Sequence, residues 1–548
     1  MLLHQTRQGG SVPAHFYSYR NDKAFVGAAG NVTRETDALN NTVDMTYGIY
    51  DQVASVKDKR GTVRTTSFHA TTDATCKAAG KPDSVTLSVL ASVPNVSLQS
   101  LCWFTDGMLK STTDYITPGN TTRYRTTSLN YDPAHLNVLS MTQTGTDGSA
   151  VTRSFSYDSL GRKTSETLQR RTSPTDATLI SLTTTYTYDT LDRVTRVQDA
   201  LGHQLDTVYD ANGQVYQAIG RYRQADASYV SRTLSTRAYD SADRMISDTD
   251  VYNIATQYQY DAAGNLILTI DPYQHTTRYD YDPMHRRTAV IDANGHRTET
   301  TYDLAGRVKT ITNANGETVT NTYDAIGRLT QVQDPLGFLT QFSYDQNGNL
   351  TCTIDANAQA NLQPKNLDTC TMSRVYDELN RVAQIKDAKN GMTQTTYDLL
   401  GNTISIKDAS NKTTTFVYDD LGRQIQTIDP LNKSTLIVRD QAGNAYQVTN
   451  RLNQVTRTSF DLLNRPTRVD YVTDGTNETM TYDPFGNQAT MSNATVTYTF
   501  VYDSKNRLLS KTDSRSGKRL TLSYDAVDNL LTKTDLPPKL RLPRVTYY

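Results

Sequence analysis

The dipeptide Tyr-Asp recurs along this chain like the teeth of a comb, and the spacing constrains the fold more than any other feature. Its Tyr falls at 188, 209, 239, 260, 281, 302, 323, 344, 376, 397 and 418. The comb continues in degenerate form at Arg439-Asp440 and Phe460-Asp461 and returns at Tyr482, Tyr502 and Tyr524. Of the fifteen intervals ten are 21 residues, three are 20 or 22, and the two long ones, 30 and 32, are one period plus an insertion. A fixed period of this kind marks an architecture in which each unit stacks on its neighbours.

One clean unit runs from Tyr323 to the next Tyr at 344 and holds two Asp-x-x-Gly tetrads, Asp324 to Gly327 and Asp334 to Gly337. Asp at the first position of a type I turn caps that turn with its own side chain. Gly at the fourth accepts the left-handed conformation that a short hairpin loop needs. Between the tetrads lie segments of six or seven residues rich in Thr, Val, Leu and aromatics, so the unit reads as strand, turn, strand, turn. A Gly or Asp-Pro every ten residues would cut any helix below a stable length.

The strands alternate only partly. One face of Phe338 to Tyr344 carries Phe338, Thr340, Phe342 and Tyr344, whereas the matching face of His296 to Tyr302 carries His296, Thr298, Thr300 and Tyr302. Sheets wettable on both sides are thin walls rather than lids on a core. Composition agrees: the 548 residues are 36% hydrophobic, and the aromatics are 35 Tyr against 11 Phe and one Trp. Tyr suits a thin wall, because its ring packs while its hydroxyl stays hydrated or hydrogen-bonded. A net charge of -1 supplies no electrostatic footprint for nucleic acid or an anionic membrane. No run approaches the ~18 apolar residues of a spanning helix, so membrane insertion is not expected. The first residues lack the apolar stretch of a signal peptide.

Weaker teeth stand upstream at Tyr131 and Tyr157, and Gly30, Asp37 and Tyr47 repeat the offsets of Gly327, Asp334 and Tyr344. The expected organisation is a short N-terminal segment (1–20), degenerate repeats (20–180) with an insertion at about 70–110, a regular array (181–535) and an unpatterned tail (536–548). About two dozen repeats of two strands, at ~4.8 Å per strand, make a ribbon of roughly 230 Å, long enough to coil through sheet twist. End strands of an incomplete coil would expose unpaired backbone and invite a partner.

Tyr-Asp-x-x-Gly-Arg followed by Asp-x-x-Gly, as in Tyr302, Asp303, Gly306 and Arg307 or in Tyr418, Gly422 and Arg423, resembles the YD repeat of the Rhs family. That family includes bacterial polymorphic toxins, wall-associated proteins, insecticidal toxin complexes and the animal teneurins. The resemblance covers roughly residues 20 to 535, and Asn stands in for Arg at 265, 349, 402, 444 and 487, which is also familiar in that family. It implies an all-β fold, tandem ~21-residue hairpins forming a curled or spiral β-sheet shell, which in the toxins encloses a C-terminal effector. Full-length toxin members close the array with a core-associated segment rich in Asp-Pro-x-Gly-Leu motifs. Nothing after Tyr524 matches that segment, which predicts an incomplete shell whose effector or cap lies on the same or a neighbouring protein.

The repeat-defining residues are therefore read as structural: Tyr281, Tyr302, Asp303, Gly306, Arg307, Tyr323, Asp324, Gly327, Arg328, Asp334, Gly337, Tyr344, Tyr397, Tyr418, Gly422 and Arg423. The recurrent Arg lies four residues after the Asp of Tyr-Asp, where it can pair that Asp across the turn or stack on a Tyr of the neighbouring repeat. Asp324 with Asp334, or Asp398 with Asp408, has the look of a glycosidase acid pair. Every repeat carries the same pair, however, and an enzyme needs one special pair, so turn capping is the favoured reading. One carboxylate per tetrad is also too sparse for a calcium cage. His203, His275 and His296 fall just after turns and read as solvated repeat positions. No catalytic residue, cofactor or metal site is assigned.

Cys352 and Cys370 bracket the long interval from Tyr344 to Tyr376, and Cys76 and Cys102 bracket the other large insertion. Alignment on neighbouring hairpins places Cys352 opposite Met372, one diagonal step from Cys370. A disulfide there closes 17 residues, worth ~3 kcal/mol in the loop-entropy model. Two such pairs point to an oxidising destination, the rival being four reduced buried thiols.

The leading expectation is a non-enzymatic shell or scaffold segment of a secreted or cell-surface bacterial protein, encapsulating or presenting an effector. A carbohydrate-binding, adhesin-like surface built on Tyr and Arg ladders is the alternative, with cell-surface carbohydrate as its partner. A hydrolase on a β-solenoid is third.

Overall fold

The computed structural model describes residues 109 to 536 apart from 118–119, 133–134, 136, 172–177, 356–369 and 527. Beyond that span it describes the backbones of the strands at 16–19, 32–36, 42–47, 53–57, 63–69, 84–89, 99–103 and 544–547. Every element so described is a β-strand, and no helix long and apolar enough to cross a membrane occurs among the described residues.

The period writes itself directly into hairpins. Strands Thr318–Tyr323, Leu329–Gln333 and Leu339–Tyr344 pair antiparallel in chain order. The loops between them are the same turn used twice: Asp324 N–H donates to the Arg328 carbonyl (2.9 Å) and Gly327 N–H to that of Asp324 (3.0 Å), as Asp334 and Gly337 do with Phe338 and Asp334. The Asp side chain fixes this geometry, since Asp334 Oδ1 accepts from the N–H groups of Leu336 and Phe338, both at 2.9 Å. The fourth turn residue is left-handed in most of the described turns. Gly327 and Gly337 have φ of 91° and 88°, and Asn411, Asn432 and Asn453 take the position at 61°, 58° and 62°. Gly and Asn serve there because they tolerate that region best.

The two hairpin ends differ in register. Gln333 faces Leu339 directly, but at the Tyr-Asp end Thr322 faces Gln331 while Tyr323 faces Leu329, leaving Thr330 as an extra residue. A bulge of this kind increases local twist. It persists at Arg439 and Phe460, where Tyr is replaced, so the turn rather than the aromatic ring dictates it. It is also present at Tyr47, beside the strand Thr42–Tyr47.

The strands fall into two compact units: residues 1–130, 141–150 and 296–434 in one, and 131–140, 151–295 and 435–548 in the other. In each, an earlier stretch of ribbon lies against a much later one. The dry interior is small, the fully buried apolar side chains among the described residues being Ile116, Ala289, Cys352 and Ile354.

Within the tail, Arg544–Tyr547 forms a strand paired antiparallel with Leu530–Leu536. Two expectations need correction. Strands expected to begin at Phe338 and His296 begin one residue later, at Leu339 and Arg297, because Phe338 still belongs to the turn through its carbonyl. Cys352 faces Ser373, and Thr353 faces Met372, one step from the expected register. The insertion at about 70–110 lies largely outside the described residues.

Candidate functional site

The Tyr, Asp and Arg of successive repeats interlock. Arg307 donates from Nε to Asp303 Oδ2 (2.7 Å) within its own turn and from Nη1 to the Asp324 carbonyl (3.3 Å) in the next repeat. Its guanidinium meanwhile lies 4.6 Å from the Tyr323 ring centroid. Pairing and stacking, alternatives on sequence grounds, are thus simultaneous. Arg328 repeats the arrangement with Asp324, Asp345 and Tyr344, and Arg381 with Asp377, Asp398 and Tyr397. Arg423 pairs with Asp419 at 2.7 Å. Where Asn replaces Arg, its side-chain amide keeps the bond to the turn Asp, as Asn265 does to Asp261 at 2.7 Å.

Many of the repeat tyrosine hydroxyls are also committed. Tyr323 donates to the Val308 carbonyl (2.8 Å), Tyr344 to that of Leu329 (2.7 Å), Tyr281 to Leu266 (2.9 Å) and Tyr397 to Val382 (2.8 Å), always one repeat back. Burial pushes the phenols of Tyr281, Tyr344 and Tyr418 above their usual range. The carboxyl of Asp303 is held below its ordinary value by the backbone N–H of Arg307, which together with the guanidinium outweighs partial burial. Asp282 is lowered chiefly by the Arg286 side chain. Gly306 and Gly422 occupy the left-handed turn position at φ 83° and 79°.

The carboxylate pairs considered for hydrolysis are spoken for. Asp324 and Asp334 cap their own turns, and Asp398 and Asp408 do the same with Asn402 and with Ser410 and Lys412. No cluster of three or more potential metal-ligating side chains occurs among the described residues. Two of the histidines are engaged rather than merely solvated: His203 Nδ1 accepts from Arg223 N–H (2.9 Å), and His275 Nδ1 lies 2.9 Å from Asp271 Oδ2. The reason is position, since a residue just past a turn reaches back to the turn carboxylate or to the next strand.

Cys352 and Cys370 are joined by a disulfide with a Cα separation of 5.5 Å. Cys76 and the Cys102 side chain lie outside the described residues.

The feature that periodicity conceals is a seam between distant stretches within each unit. The second residue of a Tyr-Asp turn has an N–H that the turn itself does not use, and once buried it must find an acceptor. In the first unit Leu399 N–H donates to the Ile116 carbonyl (2.9 Å) and Asp420 N–H to Asp147 Oδ2 (2.8 Å). In the second, Ser504 N–H donates to the Tyr252 hydroxyl and Ala526 N–H to the Tyr273 hydroxyl, both at 2.8 Å. Tyr252 and Tyr273 stand 21 residues apart, so the seam repeats with the ribbon.

Arginines key the same seam. Arg123 donates from Nη2 to the Tyr418 carbonyl (2.7 Å) and pairs through Nε with the fully buried Asp420 (2.7 Å). Arg170, itself 0% exposed, donates to the carbonyls of Phe460 (3.1 Å) and Asp461 and lies 3.5 Å from Asp440. Arg232 donates to the Ser504 carbonyl (2.6 Å) with its guanidinium 3.6 Å from the Phe485 ring centroid. At that turn Pro484 has no N–H to offer, and the Phe485 ring packs on Tyr222 at 4.3 Å instead. Sequence signals existed for this: the Asp-Asp at 419–420, Pro-Phe at 484–485, and Tyr in the turns at 252 and 273 all depart from the repeat.

Beside this seam is a depression of about 400 Å³ lined by Asp248, Asp250, Tyr258, Lys505 and Asp528. Lys505 bridges Asp250 (2.6 Å) and Asp528 (3.1 Å), while Arg507 also pairs with Asp528 (2.5 Å) and Arg237 with Asp248 (3.4 Å), so every carboxylate there has a cationic partner.

The RHS Repeat family matches at residues 260–298, 288–318, 302–338, 323–360, 397–433 and 502–537. By fold the chain is similar to a crystal structure of TcdB2-TccC3-TEV, with TM-score 0.71 and 14% identity over 97% of this chain and 35% of that one. It is similar also to a crystal structure of TcdB2-TccC3 (TM-score 0.66, 15% identity, 94% of this chain and 32% of that one). A third likeness is to the Photorhabdus luminescens Tc holotoxin pore, with TM-score 0.64 and 13% identity over 98% of this chain and 34% of that one. The chain spans about a third of the length of these structures. No protein of curated function matches the sequence.

Proposed function

The chain belongs to the RHS-repeat family and is a structural segment of RHS ribbon, and from that premise we propose that it forms part of a wall holding or presenting a toxin or effector polypeptide supplied elsewhere. The observation that carries this reading is the use made of the recurring Tyr, Asp and Arg side chains inside the wall itself. Tyr hydroxyls close on the previous repeat, Arg guanidinia cover the next Tyr ring, and turn carboxylates cap their own loops. The Tyr and Arg side chains thus tie one repeat to the next within the described ribbon. A secreted or cell-surface setting accords with the disulfide at Cys352 and Cys370.

The same ladder bears on the adhesin alternative, because a guanidinium occupies one face of rings such as Tyr323 and Tyr344 that a sugar would otherwise stack on. Protease protection tests the proposal. The chain is co-expressed with each polypeptide encoded beside it, and an effector passenger is expected to co-purify and to resist protease while associated. Digestion of the associated passenger as fast as the free one overturns encapsulation. Reproducible glycan binding lost in Tyr302→Ala and Tyr323→Ala would favour the adhesin.

A further inference from the structure

Four consecutive strands of the second unit, Leu179–Tyr188, Val194–Gln198, Gln204–Tyr209 and Val215–Arg223, carry an arrangement that the repeat does not demand. Asp206 accepts from Nε and Nη2 of Arg196 (2.5 and 2.8 Å) and from Nε of Arg221 (2.5 Å), so one carboxylate serves two guanidinia. The aspartate is buried, at 8% exposure, whereas both arginine side chains remain 39% exposed. Arg196 holds the Asp206 carboxyl below its ordinary range, with Arg221 adding to the effect, so this group is ionised at neutral pH. Nη1 of Arg196 and both Nη groups of Arg221 have no partner among the described residues.

Strand register puts these groups on one face. Thr187 lies opposite Arg196 and Arg196 opposite Asp206, while in the adjoining row Thr185 lies opposite Gln198, Gln198 opposite Gln204 and Gln204 opposite Arg221. Directly opposed residues, and residues two apart on one strand, share a face of the sheet. Gln204 Nε2 donates to Gln198 Oε1 (2.8 Å) and to the Tyr229 hydroxyl (3.3 Å), which leaves Gln198 Nε2 as a donor and Gln204 Oε1 as an acceptor. A depression of about 530 Å³ bordered by Thr187, Thr195, Arg196, Asp206 and Val208 lies against the arginine pair.

One carboxylate balances one guanidinium, so the second leaves a positive charge over. Unlike the matched charges around Lys505, this surplus has no acid to meet among the described residues. Arginines on a protein surface ordinarily spend such a charge on water, at the entropy of a long mobile side chain. Here both are already pinned at Nε by a buried acid, so little ordering is left to lose when a ligand arrives. Pinned guanidinia with unfilled N–H groups bind carboxylates through charge-assisted hydrogen bonds. A single surplus charge matches a monoanion, whereas a phosphate dianion would exceed it and lie close to Asp206. We propose that Arg196 and Arg221, clamped on Asp206, form a binding site for an Asp or Glu side chain of a polypeptide held against this face, with Gln198 and Gln204 serving the N–H and carbonyl groups beside it. This inference rests on the reading of the chain as a wall that holds a polypeptide, and it gives that polypeptide an acidic residue at this point.

The test uses the full chain and labelled unstructured peptides of Gly, Ser and Glu, with Gln replacing Glu in the reference peptide, read by fluorescence anisotropy at fixed ionic strength. The Glu peptide is expected to bind roughly tenfold more tightly than its Gln counterpart, the scale of a charge-assisted pair. Arg221→Gln leaves Asp206 paired with Arg196, so the internal contact survives, and it should remove most of that preference without altering affinity for the Gln peptide. Arg278→Gln, which removes an exposed arginine from the strand Thr276–Tyr281, should leave the preference unchanged. Equal binding of the two peptides, survival of the preference in Arg221→Gln, or an equal effect of Arg278→Gln overturns the proposal. So does displacement of the Glu peptide by inorganic phosphate more readily than by acetate, which would assign the arginines to phosphate. Passenger protection is read separately. Loss of the Glu preference with protection intact counts against this site alone, and loss of protection with the preference intact counts against the wall reading alone.

Discussion

The guanidinium of Arg307 sits over the ring of Tyr323 at 4.6 Å while its Nε holds Asp303 and its Nη1 the carbonyl of Asp324. One side chain thereby joins the turn of its own repeat to the ring and backbone of the next. A double-mutant cycle on Arg307→Ala and Tyr323→Leu should give a coupling of about 0.5–1 kcal/mol, the value of a partly exposed cation–π pair. Arg307→Lys should recover little of it, because an ammonium cannot make the planar two-way fork. Chemical denaturation of the single and double variants measures the coupling.

Tyr323→Phe isolates the hydroxyl. It keeps the ring under Arg307 and removes only the bond to the Val308 carbonyl. The expected loss is about 1 kcal/mol, within the usual range for one hydrogen bond, and the loss should be similar for Tyr344→Phe and Tyr397→Phe because their bonds are equivalent. A tenfold disparity among the three in local hydrogen-exchange protection would show that the ladder is not uniform.

The strands, the turns and the roles of Asp and Gly were legible because each is a local demand: a tight loop needs a capping carboxylate and a left-handed residue within four positions. The bulge at Tyr323 was not legible, since register depends on which neighbour the strand meets. The seam was harder still. Arg123 meets Tyr418, and Tyr252 meets Ser504, across separations that no local pattern encodes. The residues that make it are departures from the repeat, and a departure looks the same in sequence whether it is an erosion or a key.

Position four of the turn offers a clean test of backbone strain. Gly264 has φ of 90°, and a Cβ there would meet nothing within 4 Å. Gly264→Ala should therefore cost about 1–2 kcal/mol from the left-handed backbone alone, whereas Gly264→Asn should cost less, since Asn already serves at Asn411 and Asn453. Thermal unfolding of the two variants checks the order.

Acid should loosen the wall before neutral or mildly alkaline conditions do. Asp240 and Asp282 are held below the ordinary carboxylate range chiefly by the side chains of Arg244 and Arg286, and Asp303 chiefly by the backbone N–H of Arg307. A folded pKa below the unfolded one gives stability that is fully present above about pH 4, the unfolded value. That stability is lost as pH falls through the lower folded values. The thermal midpoint is expected to stay level from pH 7 to pH 5 and to fall below pH 4. A decline centred near pH 6 would implicate histidine instead and contradict this assignment.

Arg170 is the sharpest probe of the seam inside the second unit, because it is wholly buried and its bonds all run to a stretch 270 residues or more away or to its own neighbour. Removing one member of a buried charged contact typically costs about 3–5 kcal/mol. Arg170→Ala should thus raise the exchange rate of amides in the turns at Asp440 and Asp461 by two or more orders of magnitude, while the turns at Asp240 and Asp261, which carry no such key, stay protected. Arg170→Lys should not restore protection, since one ammonium cannot serve the carbonyls of Phe460 and Asp461 together with Asp440. Equal loosening of all four turns would mean that the ribbon opens as one body and that Arg170 holds its general stability rather than the alignment of one stretch on another.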